Sequence, residues 1–407
     1  MATILLYESV PEAWFDDFAE FLRERQPEDH PLELVQADDT DLEGKLALLH
    51  KADAVVVGLT GQRRPLGREA IESAPRLRLI QKLGSRTAGV DLEAARQAGV
   101  SVSLLPSPHC VAAAEHTMLF ILALARKLVA AHQRAVRKSP KDAGPPPRPA
   151  SASDYAHNWA GIEGIRLVAG KVLGLVGMGD IAVETVRRAA AFGMRVVYCD
   201  SDPLPEDEEG DLGVERRELD DLLREADFVS LHVGLTPETQ NLLNAERLAL
   251  MKPTAFLVNA ARGGLVDEAA LADALANGRL AGAAIDAWAM EPTPKDNPLL
   301  KFDNVVATPH IAAGAFPTTT IFEELTPNLI AALRGEAVAG CLTPDVEPKP
   351  PLAPEEPQEE PPAAEESAGE EAPPSEDEAP EAPPAEEEEE APPDEESPEK
   401  PEATRDE

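Results

Sequence analysis

Apolar and polar positions along this chain fall into two alternating patterns. Short runs that are apolar at nearly every position, at 4–7, 32–35, 54–58, 77–81 and 100–104, predict strands covered on both faces. Between them, 12–25, 42–51, 71–74 and 92–98 carry apolar residues at helical spacing and predict helices. Strand and helix in turn predict a parallel α/β domain over residues 1–104. No glycine-rich turn follows its first strand, so by motif that domain is not itself a nucleotide binder.

The segment 111–137 is apolar on most faces and predicts one long helix. Such a helix must be covered nearly all round, which a second subunit packed by two-fold symmetry would provide. Residues 139–153, with Pro145, Pro146 and Pro147 in a row, predict a loop or arm. Alternation then resumes with strands at 171–176, at the run ending in Asp200, and at 228–232, 255–259, 283–287 and 304–307. Helices are predicted at 183–192, 244–250 and 268–277. Six strands with crossover helices fit a doubly wound, Rossmann-type domain over 105–310. A last helix at 316–334, within 311–343, is expected to return to the first domain, and 344–407 reads as a tail.

One turn in the second half carries more than shape. After the apolar run ending at Val176, Gly177, Gly179 and Ala182 stand at G-x-G-x-x-A spacing ahead of an amphipathic helix. Gly177 permits the tight turn, Gly179 lets a pyrophosphate approach the backbone, and Ala182 keeps helix and strand close, with phosphates facing the helix N-terminus. Asp200 ends the next strand, 23 positions after Gly177. An acid there accepts hydrogen bonds from ribose hydroxyls and repels a 2′-phosphate, which points to NAD rather than NADP. Asp180 works against the pattern, because it puts a negative charge where phosphate is expected; its side chain must point outward or weaken binding.

Charge and composition narrow the function classes. The 407 residues carry a formal charge of −38, and from Asp345 onward 26 acidic and 3 basic residues contribute −23 of it, leaving −15 for the first 344. That Pro, Glu and Ala tail has no aromatic residue and is expected to be disordered. Acidic body and tail together argue against nucleic acid as a ligand. Cys110, Cys199 and Cys341 form no metal-ligand or C-x-x-C pattern and suggest buried thiols in a reducing compartment, and no metal is expected. The N-terminus reads as a first strand rather than a signal peptide, and charged residues interrupt the apolar segment 111–131, so neither a leader nor a membrane span is expected and the protein is placed in the cytoplasm. His109, His116, His132 and His157 read as structural.

Candidate chemistry lies at strand ends. In the first domain the loop 82–91 contains Gly84 and Ser85, whose amides, with Lys82 or Arg86 nearby, suit a small carboxylate. In the second, three motifs follow strands in order: Asn259-Ala260-Ala261-Arg262-Gly263-Gly264, Asp286-Ala287-Trp288-Ala289-Met290-Glu291-Pro292 and Thr308-Pro309-His310-Ile311-Ala312-Ala313. With the glycine loop before them, they resemble the D-isomer-specific 2-hydroxyacid dehydrogenases, and the resemblance runs from the N-terminus to about Thr343. Reduction of a 2-keto acid needs a cation on carboxylate and carbonyl, an acid for the developing alkoxide, and a hydride donor. Arg262 suits the first role by its planar fork and His310 the second, with Glu291 orienting His310 and favouring its protonated form.

The resemblance further implies NAD contacts from Asp180, Ile181, Val233, Gly234, Ala260 and Asp286, and contacts of Gly84 and Ser85 with substrate and cofactor from a smaller flavodoxin-like substrate domain. It implies an NAD-dependent reductase of a small keto acid such as glyoxylate or hydroxypyruvate, working as a homodimer through the 111–137 region. A 3-phosphoglycerate dehydrogenase is less favoured, since no folded regulatory domain follows the last helix. The alternative is a corepressor-like scaffold of the same fold with little turnover. Three departures stand out: the family commonly has Arg, Lys or Ser where Asp180 stands and Thr or Leu-Pro where Val233-Gly234 stand, and its usual Gly-Val-Gly-Tyr-Asp-like run is Ser85-Arg86-Thr87-Ala88 here.

Overall fold

The structure is a computed structural model and describes residues 1–28, 30–37, 42–59, 65–136, 149–314 and 316–352. In the first lobe the chain runs β1 (Ala2–Leu6), α1 (Glu12–Arg25), β2 (Leu32–Gln36), α2 (Leu42–Leu49), β3 (Ala54–Val57), α3 (Arg68–Glu72), β4 (Leu79–Leu83), α4 (Leu92–Gln97) and β5 (Ser101–Leu105). Two helices follow, α5 (Pro108–Arg126) and α6 (Leu128–Val136). The second lobe is β6 (Val172–Val176), α7 (Asp180–Ala191), β7 (Arg195–Cys199), α8 (Glu206–Leu212), β8 (Val214–Arg216), α9 (Leu219–Glu225), β9 (Phe228–Leu231), α10 (Ala245–Leu248), β10 (Phe256–Asn259), α11 (Glu268–Ala276), β11 (Gly282–Ile285) and β12 (Val305–Ala307), closed by α12 (Thr319–Leu333).

Every strand pair within the two sheets is parallel. The first sheet has the order β2-β1-β3-β4-β5, the flavodoxin-like arrangement, and the second β12-β11-β10-β9-β6-β7-β8, the doubly wound arrangement with its reversal between β6 and β9. The second sheet has seven strands, not six. The additional one, β8, is a three-residue edge strand with only Val214 buried, so it offers no apolar run to read. The fully apolar strands are as buried as their composition requires: β3, β9, β10 and β11 are covered at every position.

The expected single helix over 111–137 is two. Lys127 takes a left-handed conformation, φ 51°, and separates α5 from α6. α5 is long and apolar enough to cross a membrane by length and composition alone, but more than half of it is buried inside the fold. It packs on α7 and on the second sheet, with Phe120, Ile121 and Ala125 at 1% exposure or less. α12 returns to the first lobe: Phe322 stacks on Phe18 at 4.7 Å and meets Trp14 edge-on, while Asn328 donates to Gln81 of β4 at 2.9 Å. Phe322, Leu325, Leu329 and Leu333 are each fully buried, at roughly 2 kcal/mol apiece.

The tail begins later than its composition suggests. Residues 344–352 lie along the first lobe, with the Lys349 ammonium donating to the Leu77 carbonyl at 2.6 Å, Arg78 to the Lys349 carbonyl at 3.3 Å, and the His30 ring 2.8 Å from the Leu352 carbonyl. The rest of the expected tail, 353–407, and 139–148 of the expected arm lie outside the described residues. The three cysteines are unpaired and half-buried rather than fully buried.

Candidate active site

The glycine loop is shaped by two close approaches. Gly177 has φ +101°, and a β-carbon there would lie 2.6 Å from the carbonyl oxygen of His232, so glycine is needed both for conformation and for room. Gly179 differs: a β-carbon on it would meet nothing within 4 Å, which leaves open space in front of α7. Among the described residues no side chain caps the N-terminus of α7, which leaves its first amides to meet an anion. Ala182 is fully buried against β6 and allows helix and strand to approach closely. Asp200 accepts from the Met178 amide at 2.6 Å and from the Asp202 amide at 2.8 Å, thereby organising the loop while retaining lone pairs for ribose hydroxyls. This donor set fits a dinucleotide: amides for the pyrophosphate, clear space beside Gly179, and a carboxylate at the far end of the next strand. Val233 flanks Gly177, and Gly234, like Gly179, has open space at its β-carbon position.

Gly84 and Ser85, expected to offer free amides to a substrate, are engaged within the protein. The Ser85 amide donates to Asp180 at 2.7 Å and its hydroxyl to Glu184 at 2.8 Å. Gly84, at φ +124°, lies so close to the Asp180 carboxylate that a β-carbon would fall 2.6 Å from it. The Asp180 side chain therefore points outward, onto the first lobe. Glu184, whose side chain is 6% exposed, is held below the ordinary carboxylate range by Arg188, Ser85 and Arg187, which together outweigh its burial. Arg86 donates to the Met178 carbonyl at 3.0 Å, and Thr87 to Glu208 of α8. Three consecutive residues of the first lobe thus grip the dinucleotide loop and its surroundings.

At the other end of the sheet, Arg262, Glu291 and His310 follow β10, β11 and β12. Arg262 is exposed and donates to the Ala261 carbonyl at 2.7 Å, and no carboxylate pairs with it among the described residues. Asn259 shapes its loop, donating to the Arg262 carbonyl at 3.0 Å and accepting from the Ala261 amide at 3.2 Å. His310 Nδ1 lies 2.8 Å from both oxygens of Glu291, with the two side chains 39% and 40% exposed, and Nε2 carries no hydrogen bond among the described residues. The Trp288 amide donates to Glu291 at 2.9 Å, and this bond, with His310, holds the Glu291 carboxyl below its usual range.

Asp286, expected at the nicotinamide, is fully buried and hydrogen-bonded within the protein. It accepts from the Ile311 amide at 2.9 Å, the Ala312 amide at 2.8 Å and the Thr308 hydroxyl, while its own carbonyl accepts from the His310 amide at 2.9 Å. The reason is local: the turn after β12 holds His310 left-handed at φ 55°, and its amides need an acceptor beneath them. His116 of α5 stands behind the same turn, 3.2 Å from Thr308 Oγ1, and burial pushes its imidazole down despite nearby Asp286. His116 is structural, as its sequence reading expects, while the supporting roles of Glu184 and Thr308 escape the sequence because each depends on a partner distant in the chain. Ile181, in the first turn of α7, and Ala260, directly after β10, are both half-buried.

The D-isomer specific 2-hydroxyacid dehydrogenase NAD-binding domain matches residues 118–312. A glyoxylate reductase from Korarchaeum cryptofilum is 40% identical over 285 residues, 70% of this chain and 80% of the relative. A D-3-phosphoglycerate dehydrogenase from Methanocaldococcus jannaschii is 38% identical over 270 residues, 66% of this chain but 48% of the relative, so this chain spans about half of that protein. Among solved structures, a glyoxylate reductase from Paecilomyes thermophila is similar at 26% identity and a TM-score of 0.46, covering 84% of this chain and 98% of that one.

Proposed function

Because this chain belongs to the D-isomer specific 2-hydroxyacid dehydrogenase family, whose members are NAD-dependent oxidoreductases, we propose that it reduces a small 2-keto acid of the size of glyoxylate or hydroxypyruvate. The observation that carries this reading is the His310–Glu291 pair at 2.8 Å, with Nε2 unengaged among the described residues, and an exposed Arg262 after a strand of the same sheet that has no carboxylate partner among them.

Arg262 binds the substrate carboxylate and polarises the carbonyl, since its fork can address two oxygens at once. His310, oriented by Glu291 through Nδ1, donates the Nε2 proton to the carbonyl oxygen as it becomes an alkoxide. Glu291, held ionised, stabilises the charged ring before transfer and keeps its tilt fixed. Bound NADH supplies the hydride. The chain's part is to hold substrate and cofactor at the carboxyl ends of the strands, with Gly177, Gly179, Ile181, Asp200, Val233, Gly234 and Ala260 around the dinucleotide. Domain limits near 1–105, 106–310 and 311–352 are supported by the end of β5 and by the contacts of the segment after α12 with the first lobe.

We also infer a homodimer, supported by α6, which has no buried residue and exposes Leu128, Val129 and Val136 at 52%, 39% and 59%. A cavity of about 650 Å³ opens beside it, between α5, α6 and the segment around Ile162. The unpaired cysteines suit a cytoplasmic protein, which cell fractionation would check.

The test of the reaction is NADH oxidation by the purified chain against a panel of 2-keto acids. Turnover of glyoxylate or hydroxypyruvate is expected, with at least about a hundredfold loss of kcat in His310→Ala and unchanged NADH binding. NADH binding without reduction of any keto acid would sink the proposal.

A further inference from the structure

Asp180 brings the wrong sign of charge to the start of α7, where backbone amides gather phosphates. Its carboxylate forms no ion pair among the described residues and accepts from the Ser85 amide. A cation reaches the same loop from the other lobe. Arg86 extends Nη1 to the carbonyl of Met178, the residue between Gly177 and Gly179, at 3.0 Å. It is 6% exposed, its Nε is buried without a hydrogen-bond partner, and no carboxylate pairs with it among the described residues.

A guanidinium stays protonated at any physiological pH. Burying one without a counter-ion is costly, and an unmet N–H adds to the cost. The Asp180 carboxylate on the neighbouring amide offsets that cost only indirectly, since it does not touch the guanidinium. Arg86 is therefore a buried, under-satisfied cation at the uncapped N-terminus of a twelve-residue helix. The anion that this loop is shaped to receive is a pyrophosphate.

We propose that Arg86 is a cofactor-binding residue whose guanidinium, supplied by the first lobe, engages the pyrophosphate of the bound dinucleotide and offsets the charge of Asp180. The proposal rests on NAD binding at the glycine loop. It also gives cofactor binding a second effect: because Arg86 and the helix amides belong to different lobes, a pyrophosphate held by both ties the lobes together. Ser85 and Thr87, which cross to Asp180, Glu184 and Glu208, hold Arg86 in register for that contact.

The experiment compares three probes on the full chain by calorimetry: NADH, ADP-ribose, which keeps the pyrophosphate, and adenosine, which lacks it. Arg86→Gln is expected to weaken NADH and ADP-ribose by about tenfold or more, as for loss of a charge-assisted contact, and to leave adenosine within about twofold. The dependence of ADP-ribose affinity on salt becomes shallower in the same variant. Should Arg86→Gln fail to fold, Arg86→Lys carries the test, because an ammonium keeps the charge without the fork: ADP-ribose must weaken several-fold with adenosine unchanged. Equal ADP-ribose affinity in the variants, or equal loss for adenosine, overturns the proposal and leaves Arg86 a clasp between lobes. A wild-type chain that binds neither NADH nor ADP-ribose overturns the cofactor reading itself, and this inference with it.

Discussion

A β-carbon built on Gly263 lies 1.9 Å from the Trp288 carbonyl carbon and 2.3 Å from the Ala289 nitrogen. The Arg262 loop therefore presses directly on the turn that presents Glu291, and the neighbour is backbone that cannot swing aside. Gly263→Ala is expected to cost about 2 kcal/mol or more of stability, as overpacking does, and to cut kcat/KM at least about tenfold by displacing Arg262 and Glu291 together. NADH affinity, set at the distant glycine loop, is expected to persist; a variant with wild-type kcat/KM would show that the two loops move independently. A second residue bears on pH. Burial pushes the His232 imidazole from 6.5 down to about 4, with Ser230 Oγ at 2.9 Å from the ring. The unfolded chain binds the proton more readily, so stability from this group is full above about pH 6.5 and is lost as pH falls toward 4, up to about 3 kcal/mol. Urea unfolding at pH 7 and pH 4.5 is expected to show a smaller drop for His232→Asn than for wild type. Parallel drops would mean that the ring is hydrated.

Among the elements, α5 and α6 show where periodicity misleads. Nothing in Arg126-Lys127-Leu128 marks a helix end, and the two helices read as one because apolar residues continue through the junction. The buried face of α5 is defined by the second sheet, whereas α6 runs beyond that sheet and keeps its apolar side chains exposed. If a second copy covers them, Leu128→Asp is expected to shift sedimentation from dimer to monomer at micromolar concentration, with the fold retained by circular dichroism. An unchanged dimer would place the contact elsewhere. The turn after β12 makes a different point: its motif was legible, but its shape depends on Asp286, which accepts from the Ile311 and Ala312 amides and so supports His310 from beneath.

For the molecule as a whole, the segment 344–352 is part of the folded body. Lys349, partly buried and with its ammonium pushed below its usual range by that burial, joins Leu77, while Leu352 reaches both His30 and Leu333. A chain ending at Leu352 is expected to melt with the full chain, and one ending at Thr343 several degrees lower, since a domain of this size shifts by about 2–4 °C per kcal/mol. Identical melting of the two would show that the strap contributes nothing. By itself the sequence determined the strand and helix alternation, the glycine turn and the order of the three motifs, because those depend on near neighbours: which residues are apolar in a run, and which turns need glycine. The edge strand β8, the break at Lys127 and the reach of Arg86 to Met178, 92 positions away, were decided only by the tertiary structure. Contacts of that kind have no local signature. Whether a carboxylate such as Asp286 faces a ligand or holds a backbone turn depends on which distant amides the fold brings against it.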